Sequence, residues 1–316
     1  MRNSTLTSGA FLSFTGVDGI QLKYASFCQP THTKCLIICT GRSESYLKYE
    51  ELISELFQQG FDIFILDHRG QGLSERMLNN PHKGYVKNFD DYAADLNTFV
   101  NTIVEPYSLT KQQSIYLLAH SMGSTIALRY FQLYQHPIKA AVLSSPMITF
   151  SRKGLPLFLV ESIINITQAI NNRCSKTPWY FIGQGDYKAI PFANNPLSHS
   201  PNRYQAFINL YENTPEIQLG GVTIKWLQEA LKVYKKLFKE VDKLNIPIQV
   251  LQAGADRVID NEAQNQFCQR LHQHYPASCP NGRPIVIDGA KHELFIEADC
   301  YRQPAITTAL NWFTQH

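Results

Sequence analysis

The 316-residue chain lacks several features that would mark a membrane-spanning, secreted or nucleic-acid-binding protein. No run of roughly 18 apolar residues occurs, so we expect no membrane-spanning helix. Residues 1–7 contain no apolar core of the length found in signal peptides. The net charge of +3 is too small to indicate nucleic-acid binding.

Cysteine is sparse and irregularly placed. Seven cysteines occur, an odd number, and none belongs to a CxxC pair. This pattern favours reduced thiols in a cytoplasmic protein over a disulfide framework, and it indicates no metal site. We therefore expect that the protein requires neither a metal nor a cofactor. The cysteines are Cys28, Cys35, Cys39, Cys174, Cys268, Cys279 and Cys300.

The overall composition is that of a folded globular protein. Hydrophobic residues make up 44% of the chain and charged residues 17%, which excludes an intrinsically disordered protein. A chain of this length buries roughly three quarters of the surface that its unfolded form exposes. Both one large domain with an insertion and two separate domains fit this length.

Apolar runs alternate with amphipathic helical patterns along most of the chain. After a hairpin predicted over 9–27, the runs are typical of strands buried on both faces. This alternation predicts an α/β fold, with a mostly parallel, doubly wound sheet covered by helices on both faces. We expect strands at 35–39, 61–67, 139–145, 246–251 and 284–287, one that begins at Ser114, and helices at 46–59, 89–104, 223–244, 261–275 and 305–314.

The alternation stops between residues 146 and 221. This stretch contains a helical apolar segment at 155–170 and loops rich in Pro, Asn and Ser, such as 191–201. We interpret it as a helical cap inserted into the α/β core. The core is then formed by 1–145 and 222–316.

Ser121 stands where a strand pattern passes into a helix pattern, in the segment Ala119-His120-Ser121-Met122-Gly123. This small-x-Ser-x-Gly pattern fits a nucleophile elbow, a sharp turn that projects the serine hydroxyl above the sheet. The flanking positions must be small because the strand and helix backbones nearly touch there. Ala119 departs from the commoner glycine, and we expect its methyl group to be tolerated. Taken alone, the motif fits an ordinary strand–helix connection equally well.

Candidates for a catalytic base and its orienting carboxylate lie just after two predicted strands, where doubly wound sheets bind ligands. Asp256 follows the strand at 246–251, and His292 follows the strand at 284–287. With Ser121 they give the order Ser, Asp, His that is typical of α/β-hydrolases. Ser121 would attack a carbonyl carbon, His292 would accept its proton, and Asp256 would hold the imidazole tautomer.

Other residues compete for these roles. Asp260 is an alternative carboxylate that better suits the N-cap of the helix at 261–275. Asp288 is a second alternative, but it is close to His292 in sequence. Glu293 directly follows the predicted base, and we interpret it as a support for that loop.

A tetrahedral intermediate would need two backbone N–H donors for its oxyanion. One donor is expected from Met122, the residue after the nucleophile. The other is expected from Arg42, in the loop after the first buried parallel strand. Gly41 in that loop also fits a simple turn.

These segments resemble the monoacylglycerol-lipase-like family of serine hydrolases over nearly the whole chain. The family resemblance is carried by 60–74, 119–123 and 289–293. A closer resemblance to the bacterial lysophospholipase branch, the L-two type, is carried by 40–46, 80–84, 195–204 and 281–284.

The resemblance implies the α/β-hydrolase fold and hydrolysis of a carboxylic ester in a single-chain lipid, either a lysophospholipid or a monoacylglycerol, through an acyl-enzyme. It also implies peripheral association with the inner membrane. Thr40-Gly41 stands where the wider family commonly has His-Gly, which keeps the backbone donor but leaves the substrate range open. A broad carboxylesterase, an acyl transferase with the same triad and a non-catalytic lipid-binding protein are the alternatives. The presence of all three triad residues argues against the last of these.

Two segments suit a membrane surface. The apolar residues of 155–166 would touch a bilayer, line an acyl tunnel, or pack on the cap's own core. The lysines of 223–244 surround an apolar face, a pattern that suits anionic lipid. The position of this helix in the alternation favours packing of that face on the sheet, with the lysines in water.

Overall fold

The computed structural model of the chain describes residues 9–150 and 156–316. Residues 1–7, which were examined for a signal peptide, lie outside the described residues. So does Leu155, the first residue of the expected apolar helical segment. Eight strands form one sheet: β1 (Ala10–Thr15), β2 (Gln21–Phe27), β3 (Lys34–Cys39), β4 (Phe61–Leu66), β5 (Ser114–His120), β6 (Ile138–Ser144), β7 (Ile248–Ala253) and β8 (Ile285–Ile287).

The strand order in the sheet is β1-β2-β4-β3-β5-β6-β7-β8. The pairs β1–β2 and β2–β4 are antiparallel, and all the later pairs are parallel. The mostly parallel sheet of the predicted α/β fold is confirmed. The first two strands form the predicted hairpin, whose turn uses the positive φ angles of Asp18 (58°) and Gly19 (78°).

Apolar side chains of the central strands are divided between two cores, one on each face of the sheet. In β3, Cys35 and Ile37 belong to one buried cluster, whereas Leu36 and Ile38 belong to the other. Successive side chains of a strand point to opposite faces. A continuous apolar run is therefore what a strand with helices on both sides requires.

Nine α-helices occur in the described parts of the chain. Helices α2, α4, α7 and α8 contribute to the first cluster, and α1 and α9 contribute to the second. The helices are α1 (Glu50–Gln58), α2 (Asp90–Phe99), α3 (Glu105–Lys111), α4 (Met122–Leu133), α5 (Leu157–Cys174), α6 (Pro201–Asn213), α7 (Ile224–Lys239), α8 (Asn261–His274) and α9 (Asp299–Gln315).

The helix expected at 89–104 does not end there. A π-helical segment, Val100–Val104, joins α2 to α3, and the N–H of Glu105 donates to the carbonyl of Val100. Pro106 has no N–H to donate and its ring crowds the preceding turn of an ordinary helix. The wider π turn at this point accommodates the proline and lets the helix continue.

Two further helices differ from the sequence expectation. The last helix begins at Asp299 rather than residue 305, with Pro304 inside it. Its first turn is held by Arg302, which is fully buried and bonds to Glu55 and to the carbonyl of Phe295. Helix α6 was not predicted, although Ser200 caps it and Pro201 stands at its start, a recognised N-terminal signal.

The described residues between β6 and α7 contribute no strand to the main sheet and contain helices α5 and α6. In the chain as described, no helix is both long and apolar enough to cross a membrane.

Candidate active site

Ser121 lies at the turn between β5 and α4, in a backbone conformation that few residues adopt. Its φ is 50° and its ψ is −115°, and its N–H donates to the carbonyl of Ser144 at 2.9 Å. A non-glycine residue in such a region costs about 1–3 kcal/mol. The surrounding strands and helix hold it there, and the strain fits a hydroxyl that must project from a sharp turn.

Gly123 allows the elbow to approach the neighbouring strand. A Cβ at this position would lie 2.3 Å from the carbonyl oxygen of Cys39 and 2.5 Å from that of Thr40. Both neighbours are backbone atoms at the end of β3, so neither can turn aside. The requirement for a small residue two positions after Ser121 therefore comes from contact with β3.

The structure brings Ser121, His292 and Asp256 into one hydrogen-bonded line. Nε2 of His292 lies 2.9 Å from Oγ of Ser121, and Nδ1 lies 2.7 Å from Oδ2 of Asp256. The other oxygen of Asp256 accepts the N–H groups of Val258 at 2.8 Å and Ile259 at 3.2 Å. All three side chains of the line are buried. The carboxylate is fixed from both sides, so it orients the imidazole with Nδ1 toward Asp256 and Nε2 toward Ser121.

The two alternative carboxylates have other positions. Asp260 caps α8 and accepts the N–H groups of Glu262 and Ala263. Asp288 is exposed. Asp256 is the carboxylate that the structure places beside His292.

The two expected oxyanion donors lie on adjacent elements. Met122 is the first residue of α4, and the first N–H groups of a helix have no partner within it. Arg42 belongs to the loop after β3, which pairs with β5 so that Cys39 stands opposite Ala119. Gly123 packs on the start of this loop.

The glycine-rich turn after β4 supports the loop that carries Arg42. The side-chain amide of Gln71 donates to the carbonyl of Gly41 at 2.7 Å and to that of Glu44 at 3.1 Å. Asp67 accepts the N–H of Tyr46 at 2.6 Å. The motif at 67–74 therefore supports the site indirectly, because it fixes the backbone of the loop at 40–46.

A buried ionic cluster, which sequence reasoning missed, lies behind the nucleophile. Lys48 contacts Glu44 at 2.5 Å and Glu293 at 2.7 Å. His120 lies 3.2 Å from Glu44 and 3.7 Å from Glu293. Glu44 also accepts the N–H of Gly41. The cluster, defined as Glu44, Lys48, His120 and Glu293, therefore connects the oxyanion loop, the residue before the nucleophile and the residue after His292.

Mutual attraction favours the charged forms of Glu44, Lys48 and His120 despite their burial. Burial favours the neutral form of Glu44, but Lys48 and His120 hold the pKa of this carboxyl well below its usual range. Burial likewise opposes ionisation of His120, yet Glu293 and Glu44 raise its pKa. The pKa of Lys48 is raised by the same two carboxylates against the effect of burial.

The carboxylates of Glu44 and Glu293 and the imidazole of His120 place their ligand atoms within 4.8 Å of one another, a spacing that suits a metal ion. The ammonium of Lys48 already bonds to both carboxylates. A lysine charge thus stands where a cation would bind, and the set of side chains suits an internal ion network better than a metal centre.

A cavity of about 670 Å³ opens at Ser121 and is lined mainly by apolar side chains. The residues between β6 and α7 supply much of this lining. One side of α5 faces the cavity through Val160 and Ile164, whereas Ile163 and Ile166 on the same helix are 49% and 60% exposed. The apolar lining residues are Met147, Phe150, Val160, Ile164, Phe181, Ile190, Leu197, Phe207, Val222, Trp226, Leu227, Val258 and Ile259.

Helix α7 packs inward, as its place in the chain predicts. Leu227, Leu231 and Leu237 are buried in the first core cluster. Several of its lysines pair with acidic residues, among them Lys235 with Glu161 at 2.9 Å. Its basic face is therefore largely engaged within the protein.

Comparisons with known proteins agree with this arrangement. A family model described as serine aminopeptidase, S33, matches residues 30–299. The chain is 38% identical to lysophospholipase L2 of Escherichia coli strain K12 over 96% of its own length and 87% of that protein. It is 33% identical to a probable lysophospholipase L2 of Haemophilus influenzae, over 92% of this chain and 87% of that protein.

Solved structures share the fold at low sequence identity. A soluble variant of monoglyceride lipase from Saccharomyces cerevisiae, in complex with a substrate analogue, aligns with a TM-score of 0.77 and 17% identity. The alignment covers 97% of this chain and 94% of the yeast chain.

Proposed function

We propose that this chain, which belongs to the family of serine hydrolases described as serine aminopeptidase, S33, hydrolyses the carboxylic ester of lysophospholipids through an acyl-enzyme on Ser121. The observation that carries the proposal is the similarity, 38% identity over 96% of the chain, to a protein named lysophospholipase L2. Two further observations support it. Ser121, His292 and Asp256 are hydrogen-bonded as the reaction requires, and Ser121 lines an apolar cavity that has room for an acyl chain.

The reaction begins with attack of Ser121 Oγ on the ester carbonyl carbon. Nε2 of His292 takes the hydroxyl proton and returns it to the departing glycerol oxygen, and Asp256 stabilises the imidazolium between these two events. Water activated by the same imidazole then cleaves the acyl-enzyme and releases the fatty acid.

Backbone N–H groups of Met122 and Arg42 stabilise the oxyanion in both steps. Loss of one such donor typically costs about 10²–10³ in kcat. Because Glu44 and Gln71 bind the backbone of the loop at 40–46, the position of the Arg42 donor is fixed before substrate arrives.

The acyl chain occupies the apolar cavity. Ligand pockets of this kind are lined mainly by hydrophobic side chains, with a few polar groups that fix orientation. Monoacylglycerol hydrolysis, broad carboxylesterase activity and acyl transfer would use the same three residues, so they differ from the proposal in head group or acceptor rather than in chemistry.

A working triad distinguishes an enzyme from a lipid-binding protein of the same fold. Hydrolysis of lysophosphatidylcholine, lysophosphatidylethanolamine and a monoacylglycerol with the same acyl chain is measured for the wild type and for Ser121→Ala. The variant is expected to lose about 10⁴–10⁶ in kcat. Turnover of monoacylglycerol alone would refute the substrate assignment, and unchanged activity in Ser121→Ala would refute the nucleophile.

We further propose that the protein binds peripherally to the inner membrane through the outer face of α5. Five apolar side chains of this helix are between 43% and 65% exposed, and they recur at helical spacing. They are Phe158, Leu159, Ile163, Ile166 and Ile170. An apolar helix face of this kind inserts into the boundary between head groups and acyl chains, beside the cavity that the acyl chain must enter.

Co-sedimentation with vesicles that contain anionic lipid tests this surface. Ile166→Asp is expected to reduce the bound fraction, because a carboxylate resists transfer into the apolar boundary. Leu109→Asp is the matched control, since Leu109 is 68% exposed but lies on α3, before the start of β5 and away from the site. Equal binding by the wild type and both variants would contradict the role of α5.

A further inference from the structure

The side chain of Arg42 extends from the oxyanion loop into the wall of the cavity. Nη2 donates to the carbonyl of Gly220, and the guanidinium carbon lies 5.5 Å from the ring centre of Trp226. A Cβ at Gly84 would lie 2.6 Å from Nη2, so the glycine there leaves room for the guanidinium. The backbone at Gly220 and at Gly84 thus accommodates an arginine side chain at this position.

The charge of Arg42 is uncompensated, unlike the other charges of the cavity wall. Glu44, Lys48, His120 and Glu293 neutralise one another in the buried cluster. Across residues 9–150 and 156–316, no carboxylate forms an ion pair with the Arg42 guanidinium, and its buried Nε has no hydrogen-bond partner. A buried charge without a counterion is costly unless a ligand supplies one.

Arg42 remains a cation at neutral pH. Burial lowers its pKa to about 10, which is still well above neutrality. The side chain therefore adds a positive charge and an unpartnered N–H donor to the wall of the cavity that Ser121 and His292 also line, and the rest of that lining is largely apolar.

We propose that the guanidinium of Arg42 binds the phosphate of the substrate head group and so selects lysophospholipids over neutral monoacylglycerols. Planar guanidinium groups bind phosphate oxygens through paired, charge-assisted hydrogen bonds. This inference rests on the proposed function, because it assumes that Ser121 attacks the acyl ester.

The arrangement of donors follows the order of groups in a lysophospholipid. The backbone N–H of Arg42 binds the oxyanion that forms on the ester carbonyl, and the side chain of the same residue begins at that point. In the substrate, a glycerol unit separates this carbonyl from the phosphorus atom. One residue therefore contacts both ends of the glycerol, while the acyl chain extends into the apolar part of the cavity.

Matched substrates separate this role from general damage to the site. Values of kcat/KM are measured for a lysophosphatidylethanolamine and a monoacylglycerol with the same short acyl chain, both below their aggregation concentrations. For Arg42→Met, we expect the ratio of the two values to fall by about 10- to 100-fold, the worth of a hydrogen bond to a charged group. Arg42→Lys is expected to give an intermediate ratio, because lysine keeps the charge but not the planar pair of donors.

Arg76→Met is the matched control. The guanidinium of Arg76 also donates to a backbone carbonyl of the nearby segment, that of Glu216 at 2.7 Å, but it does not line the cavity. Its removal is expected to change kcat/KM for both substrates by the same factor. If Arg42→Met lowers kcat/KM equally for both substrates, the inference is overturned. This holds even where Ser121→Ala abolishes all activity and the proposed function stands.

Competition on the wild type gives a test that needs no folded variant. Glycerophosphoethanolamine and inorganic phosphate are added separately to the monoacylglycerol assay. Competitive inhibition by glycerophosphoethanolamine at lower concentration than inorganic phosphate supports a head-group site. Stronger inhibition by inorganic phosphate would assign the site to free phosphate instead, and no inhibition by either would overturn the inference.

Discussion

Replacement of Gly123 by alanine tests the packing between the nucleophile elbow and the oxyanion loop. The new Cβ would lie 2.3 Å from the carbonyl oxygen of Cys39, which must move by roughly 0.7 Å to reach 3.0 Å, the closest approach that real Cβ atoms show. The movement separates α4 from the end of β3. Since Met122 is on the helix and Arg42 follows the strand, the two proposed oxyanion donors move apart.

The expected loss in kcat is roughly 100-fold, because a misplacement of about 1 Å near the reacting atoms has an effect of that size. The strain of forcing an extra carbon against backbone is about 3 kcal/mol, at the upper end for overpacking. For a chain of 316 residues, such a change lowers Tm by roughly 4–5 °C.

The assay combines thermal unfolding with steady-state hydrolysis of a soluble ester. Gly185→Ala is the matched control, since a Cβ there meets no atom within 4 Å. It is expected to change stability by less than about 0.5 kcal/mol. A Gly123→Ala variant with wild-type kcat and Tm would refute the close approach of β3 and the elbow.

Three further predictions concern residues around the nucleophile. Asp256→Asn should lower kcat by about 10⁴ with little change in Tm, because the amide favours the wrong imidazole tautomer; a loss below tenfold in steady-state hydrolysis would contradict its role. Lys48→Met should destabilise the protein by about 3–5 kcal/mol in urea unfolding, because Glu44 and Glu293 lose their buried counterion; a second substitution, Glu293→Gln, should recover part of the loss, and no recovery would count against the pairing. The pKa of His120 is raised in the folded state, so its ion pairs contribute fully to stability below its unfolded-state pKa and are lost as pH rises through its folded-state pKa. The Tm difference between the wild type and His120→Gln should therefore shrink from acid to alkaline pH. A constant Tm difference would disprove the ion pairing.

Sequence periodicity was sufficient for the sheet because each central strand is buried on both faces. Runs such as 35–39 have no polar alternation and therefore indicate a parallel sheet with helices on each side. The positions of Asp256 and His292 followed from the same reasoning, since the carboxyl ends of parallel strands share one edge. The predicted family is confirmed by the match over residues 30–299.

The buried ionic cluster was not accessible to this reasoning. Lys48 and Glu293 are separated by 245 positions in sequence and meet only after the sheet has formed. Glu293 was interpreted as a support for its loop, and the structure identifies Lys48 and His120 as its contacts. The spacing of Glu44 and Lys48, four residues apart, was the one local signal that could have indicated an ion pair.

Helix ends were the other source of error, and proline explains two of them. Pro304 and Pro106 each suggest a boundary because proline lacks the N–H that an ordinary helix needs. A π turn accommodates Pro106, and the buried side chain of Arg302 stabilises the turn before Pro304. Both compensations depend on tertiary contacts or on backbone geometry that the pattern of apolar residues does not encode.

The order of the three site residues along the chain has a consequence for synthesis on the ribosome. Ser121 is made first, and His292 follows 171 positions later, on the last loop before α9. At roughly 5–20 residues per second, the interval is on the order of ten seconds or longer. Throughout it Ser121 lacks its hydrogen-bond partner His292, so the line from Ser121 to Asp256 forms only when the final strand and the loop after it are in place.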